Sequence, residues 1–241
     1  EFSACLVGSE MCIRDRYIAE EEKRKVNIFL DMDGVLVDFP SALKEHIKNI
    51  YTAVPEEIHT SKSSRAVLRK LQSMNLFPEE IDELYDRTET KFQSGEGYSP
   101  DEKIMSDYIF KALLKNEKLW LDMEKLVGAD EVMATAFELA DNVFILSAHV
   151  DPTSKVAKKK WIKHHYRSRE FAGVEIDRDK GGRLLQLIAQ GTIAENDLNI
   201  LLDDRQKFLD NFIAAGGTGI QYNFESPGNA IEELKAVIST N

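Results

Sequence analysis

The feature that most constrains the fold is the segment VNIFLDMDG, residues 26–34. An apolar run from Val26 to Leu30, broken only by Asn27, stops on Asp31, and Asp33 and Gly34 follow. Short apolar runs that end on polar and Gly residues suit a strand buried on both faces of a parallel sheet. The Asp-Gly pair then supplies a turn. In an extended backbone, residues i and i+2 share a side, so Asp31 and Asp33 can be aimed at one site. Two carboxylates so close repel, and a hard cation such as Mg²⁺ relieves that. Gly34 permits a tight turn whose free N–H groups can hold phosphate oxygens.

The pattern recurs. NVFIL, residues 142–146, ends at Ser147; FAGVEI, 171–176, runs into Asp177 to Lys180; LNILL, 198–202, ends at Asp203-Asp204; TGIQYNF spans 218–224. Helical spacing fills the intervals: 129–140, KVAKKKWIKHHY, KGGRLLQLIAQ, KFLDNFIAAGG with Gly at its end, and AIEELKAVIS. Repeated strand–helix units imply an α/β fold, a mainly parallel sheet covered by helices on both faces. In such sheets ligands bind beyond the carboxyl ends of the strands. Four strand ends carry polar residues here: Asp31, Ser147, the stretch Asp177 to Lys180, and Asp203-Asp204.

Residues 41–124 interrupt the alternation. SSRAVLRKLQSM, PEEIDELYDRTETKF and DEKIMSDYIFKALLKN place apolar residues at helical spacing, and Ser99-Pro100-Asp101-Glu102 is a helix start. This block is expected to be an inserted helical cap, with residues 21–40 and 125–241 forming the core. A chain of 241 residues accommodates that division.

Residues 1–20 fit neither pattern. EFSACLVGSEMCIRDR has no period and no signal-peptide layout, and resembles translated adapter sequence; a disordered or artefactual tail is expected. It holds both cysteines, Cys5 and Cys12, so neither a disulfide framework nor a cysteine zinc site is expected, and a reducing, cytoplasmic location is. No run approaches the length of a membrane span. The net charge of −11 argues against duplex nucleic acid as partner, although a metal and lysines can reverse the field locally. Oligomeric state is left open.

The segment IFLDMDGVLVD, residues 28–38, resembles the first motif, DxDGxxxD, of the haloacid dehalogenase-like phosphatases. The resemblance implies a Rossmannoid sheet with a cap between the first and second motifs. It implies Asp31 as nucleophile, Asp33 as general acid and base, and an aspartyl-phosphate intermediate. Gly34, Ser147 and Ala148 would hold the phosphoryl group. Asp203-Asp204 resembles the acidic fourth motif, with Asp203 favoured as a direct Mg²⁺ ligand beside Asp31 and the Asp33 carbonyl.

IDRDK, residues 176–180, resembles the third-motif stretch of the 5'(3')-deoxyribonucleotidases and nominates Lys180. Lys158, three residues before Trp161, resembles a second lysine near the phosphate. LLDDRQKFLDNFIAAGG and LWLDMEKLVGADEV are similar to further stretches of that family, and the likeness covers about residues 26–225. Ala148-His149 departs from the Ser-Pro often found there.

The resemblance implies a small phosphorylated substrate, a nucleoside monophosphate and in particular a 5'-deoxyribonucleotide. Phe39 is expected at the cap–core seam. Tyr98 and Trp120 could stack on a base, with core packing the competing role for Trp120, and His149 could contact substrate. His164 and His165 are expected to face solvent. A phosphatase of another small phosphomonoester and a noncatalytic phospholigand-binding module are the alternatives. No Walker or GxGxxG motif is present.

Overall fold

The computed structural model describes residues 24–59 and 61–240. The expected tail, with Cys5 and Cys12, lies outside the described residues.

Five parallel strands form one sheet: β1 (Val26–Leu30), β2 (Asn142–Ser147), β3 (Gly173–Ile176), β4 (Leu198–Asp203) and β5 (Thr218–Gln221), in the order β3-β2-β1-β4-β5. The register sets Leu30 beside both Ile145 and Leu202. Alternate residues of the central strand feed different cores, as pleating requires. Ile28 and Leu30 join Ile145, Ile200 and Leu202 on one face, while Phe29 joins Phe144, Leu146 and Leu201 on the other. Phe29 and Phe144 stack at 4.7 Å. With both faces covered, the strands are apolar throughout their centres.

Two strands are shorter than their apolar runs. β3 starts at Gly173, because Phe171 leaves the sheet to pack edge-on against Phe137 at 5.4 Å. β5 stops at Gln221: Tyr222 N still donates to Asp203 O at 2.9 Å, and then Asn223 Oδ1 accepts from Glu225 N at 2.9 Å and turns the chain.

Between β1 and residue 124 the described residues form the α-helices α1 (Phe39–Tyr51), α2 (Pro55–Ile58), α3 (Lys62–Gln72), α4 (Pro78–Ser94), α5 (Pro100–Lys111) and α6 (Glu117–Asp122). These are the inserted cap. The first begins ahead of residue 41 because Asp38 Oδ1 accepts from Ser41 N at 3.1 Å and Pro40 sits in the first turn. The Ser99 start forms as a capping box with Glu102. The two connections to the cap are tied together: Val37 bridges to Lys125, and Leu126 N donates to Leu36 O at 2.9 Å.

The remaining helices cover the sheet. α7 (Ala129–Leu139), α8 (Pro152–His165) and α11 (Pro227–Ser239) pack on the Ile28 face, and α9 (Lys180–Ala189) and α10 (Gln206–Ala214) on the Phe29 face. Among the described residues no helix is long and apolar enough to cross a membrane.

Candidate active site at the carboxyl ends of β1, β2 and β4

The strand order reverses at β1, since the chain goes to β2 and β3 on one side and returns to β4 on the other. The crevice at such a switch point is where open α/β sheets bind ligands. Asp31 sits there, its N–H donating to Leu202 O at 3.0 Å, which fixes it beside Asp203 on the neighbouring strand. Beyond it the chain folds tightly. Met32 O accepts from Leu36 N and Val37 N, both at 2.9 Å, and Gly34 takes a φ of 77°. That conformation favours glycine. A Cβ on Gly34 would also meet the Asp204 carboxylate at 2.5 Å.

Two buried lysines reach the aspartates from opposite faces of the sheet. Lys180, at the start of α9, lies 3.0 Å from Asp31 Oδ1 and hydrogen-bonds Asp203 Oδ2. Lys158, on α8, donates to Asp33 Oδ2 at 2.5 Å, to Ser147 Oγ at 3.1 Å and to the Ala148 carbonyl at 2.7 Å. Ser147 and both lysines are wholly buried. Lys158 also stands 5.0 Å over the Trp120 ring, and Lys180 4.9 Å over Phe208. The two lysines that the sequence nominated, Lys180 and Lys158, therefore lie at one site.

The site is short of positive charge. Asp31, Asp33, Asp203 and Asp204 face only Lys158 and Lys180 at close range, and Arg205 Nε comes no nearer than 3.9 Å to Asp204 Oδ2. Were all four carboxyls ionised, they would exceed the two ammoniums by two negative charges. Oxygens of Asp31, Asp203 and Asp204 lie within 4.8 Å of one another, a spacing that can hold a metal ion. Asp33 Oδ1 and Asp204 Oδ1 are buried without a hydrogen bond. Buried unsatisfied carboxylate oxygens are costly, and a divalent oxygen-seeking cation satisfies both the geometry and the charge. Asp33 differs from the others: its carboxylate belongs to Lys158 and lies outside the three-carboxylate group. Asp203 Oδ1 is also engaged, accepting from Arg205 N at 2.9 Å.

The electrostatics separate the four carboxyls. Burial raises the Asp31 carboxyl, but Lys180 and Lys158 outweigh it and hold Asp31 below the usual carboxylate range. Burial raises Asp33, and repulsion from Asp31 adds to this against the pull of Lys158. Burial and Asp31 push Asp203 up to about 6 and Asp204 up to about 8. A low-pKa carboxylate beside a raised one is the pairing that nucleophile-plus-acid chemistry requires.

Asp33 opens into a cleft of about 260 Å³ between cap and core. Phe39, Tyr85, Phe92, Phe110 and Phe208 give it aromatic walls, and Ala148 and His149 line its floor. Phe39 and His149 thus lie where the sequence suggested. Trp120 is not in the cleft lining and takes the packing role that its apolar run favoured: it is wholly buried behind Phe39, stacked on it at 5.1 Å, with Nε1 donating to Leu114 O at 3.0 Å. Tyr98 is also absent from the cleft lining, being held in the loop before α5. His164 is exposed as expected, and His165 is half-buried, stacked on Trp161 at 4.2 Å. Tyr85, Phe92, Phe110 and Phe208 were not foreseen, because each follows ordinary helical periodicity in the sequence. Arg205, directly after the aspartate pair, was the one signal available.

The fold is that of the haloacid dehalogenase-like hydrolases. A haloacid dehalogenase-like family hydrolase from Xanthomonas campestris aligns with a TM-score of 0.51 and 14% identity, over 92% of this chain and 96% of that one. A hydrolase from Streptococcus pneumoniae aligns with a TM-score of 0.51 and 13% identity, over 90% and 99%. A HAD-superfamily hydrolase from Ehrlichia chaffeensis aligns with a TM-score of 0.51 and 15% identity, over 88% and 98%. No protein-family model and no curated protein matches the sequence. At these identities the likeness is one of fold, so the chemistry must be argued from the site.

Proposed function

We propose that this protein is a Mg²⁺-dependent phosphomonoesterase acting on nucleoside monophosphates, 5'-deoxyribonucleotides among them. The observation that carries the reading is the pairing of Asp31, ionised between two buried lysines, with Asp33, whose raised carboxyl faces the cleft. Asp31, Asp203 and Asp204 would hold the metal. When bound, Mg²⁺ offsets negative charge on the phosphoryl oxygens.

In the first step Asp31 attacks phosphorus in line. The new Asp31 O–P bond forms as the P–O bond to the leaving alcohol breaks, and Asp33 gives its proton to the departing oxygen. In the second step Asp33 takes a proton from water as that water attacks phosphorus. The Asp31 O–P bond breaks, inorganic phosphate leaves, and Asp31 is regenerated. Lys158 and Ser147 stand beside this position, where they can hold phosphoryl oxygens. The aromatic cleft suits a flat ring on the leaving group, and the cap over it limits water.

The test is phosphate release from nucleoside and sugar monophosphates with Mg²⁺ or EDTA, using the chain and Asp31→Asn. Metal-dependent release from nucleotides, lost in the variant and accompanied by an acid-trapped phosphoenzyme in the parent, is the expected result. Turnover of sugar phosphates alone would remove the nucleotide assignment, and no turnover by the folded, metal-supplied chain would remove the hydrolase reading.

A further inference from the structure

The core wall of the cleft carries positive charge that the proposed hydrolysis does not use. Arg178 lies in the loop between β3 and Lys180, Arg205 follows the aspartate pair after β4, and Lys207 is in the first turn of α10. All three line the cleft into which Asp33 opens. Among the described residues, Arg178 and Lys207 make no ion pair, and Arg205 reaches a carboxylate oxygen only at 3.9 Å. Lys207 rests instead 5.0 Å over the Phe208 ring, on the side of the cleft. Such a wall is not the average surface of a chain whose net charge is −11. The cap side contributes one acid to the cleft lining, Glu89, against these three cations.

Among the described residues, Arg178 and Lys207 make no ion pair with the carboxylates of the phosphoryl site, and Arg205 stands at its edge, 3.9 Å from Asp204 Oδ2. Lys158 and Lys180 are already matched to Asp33, Asp31 and Asp203, so the transferred group has its own partners. The three outer cations line the same cleft as Asp33, the residue proposed to protonate the leaving group. Arginine forks and lysine ammoniums recognise phosphate. The cleft, at about 260 Å³, is near the ~300 Å³ lower end for small-molecule pockets.

We propose that the leaving group carries a second phosphate held by Arg178, Arg205 and Lys207, so that the preferred substrate is a nucleoside bisphosphate and not a monophosphate. The proposal rests on the phosphomonoesterase reading for the first phosphate.

The experiment compares deoxythymidine 5'-monophosphate with deoxythymidine 3',5'-bisphosphate. Release of the 5'-phosphate is measured with Mg²⁺ for the full chain and for Arg178→Ala and Lys207→Ala. Binding of both compounds to Asp31→Asn is measured by calorimetry, with and without the same two changes. The expected result is a kcat/KM at least about tenfold higher for the bisphosphate, the worth of one charge-assisted contact, with the ratio falling toward one in either cation variant. Turnover of both compounds at equal efficiency would overturn the second-phosphate site and leave the hydrolase reading standing. Absence of turnover, with the bisphosphate still binding about tenfold tighter and the cation changes erasing the difference, would support the second site and sink the hydrolase reading. Equal binding without turnover would overturn both.

Discussion

Lys158 Nζ and Asp33 Oδ2 lie 2.5 Å apart across the whole width of the site, from the middle of α8 to the turn after β1. The same ammonium holds Ser147 Oγ and the Ala148 carbonyl, so one side chain aligns the ends of two strands. Lys158→Met should therefore do two things. It should reduce kcat by roughly 10²–10⁴, the range for a misplaced general acid. It should also move the pH profile. Lys158 lowers the Asp33 carboxyl against burial and Asp31, so removing it raises Asp33 further. A group that must be protonated to donate then stays active to higher pH, and the limb of kcat assigned to it shifts upward. A pH–rate series on the variant checks this, and an unmoved limb would detach Asp33 from the acid role.

Asp203 and Asp204 predict how metal and pH combine in stability. Their carboxyls, pushed up to about 6 and about 8 from an ordinary 3.8, bind more protons in the native chain than in the unfolded one. Stability from a raised group is complete below the unfolded value and is lost as pH rises through the folded one. Asp31, held low, stays ionised over that window and does not offset the loss. In EDTA the melting temperature should fall between pH 5 and pH 8. Bound cation takes the place of the protons, so the gain in melting temperature on adding Mg²⁺ should be larger at pH 8 than at pH 5. Equal gains at both values would remove these carboxyls from the metal site.

The strands and their polar ends were legible because burial on two faces leaves an unbroken apolar run, as in IFL and ILL, that stops where the sheet stops. Asp31, Ser147 and Asp203 could be placed from that alone, since each is the first polar residue after such a run. Lys158 was less visible, lying in a run of three lysines. Only the fold shows that Lys158 is buried while its neighbours Lys159 and Lys160 are exposed. The cleft was least legible. Its walls come from α1, α4, α5 and α10, which the sequence describes one amphipathic helix at a time, and which aromatic faces the cleft depends on how they pack. Trp120 was the easier case: the apolar run LWL favoured burial over stacking on a ligand, and its indole N–H is bonded to Leu114 O.

Gly34 makes a sharper prediction. Its φ of 77° disfavours any side chain, and an added Cβ would sit 2.5 Å from the Asp204 carboxylate. Gly34→Ala should cost about 1–2 kcal/mol from the left-handed backbone alone. It should also displace Asp204 and so weaken Mg²⁺ activation, seen as a higher metal concentration for half-maximal rate. A variant destabilised by that amount with unchanged metal dependence would mean that Asp204 is not a ligand.

The opposite end of the sheet offers a control that should leave the chemistry alone. Asn27 lies wholly buried in the middle of β1's first turn of pleat, where an apolar residue would be the ordinary choice. Its amide nitrogen donates to Asp197 Oδ2 at 3.1 Å and to Asn199 Oδ1 at 2.9 Å, and its oxygen accepts from Asn142 Nδ2 at 2.8 Å. Asp197 in turn accepts from the backbone N–H groups of Lys25 at 3.0 Å and Ala194 at 2.9 Å. The three central strands are thus tied at their amino ends by one polar network, remote from Asp31 by the length of the strand. Asn27→Ala leaves the buried Asn199 Oδ1 without this donor, a loss of about 1–3 kcal/mol. Denaturant unfolding should show that loss as a lower midpoint with an unchanged slope. Because no member of the network reaches the cleft, kcat and the pH profile of the folded variant should match the parent. A change in either would mean that strand register at the amino ends controls where Asp31 and Asp203 stand.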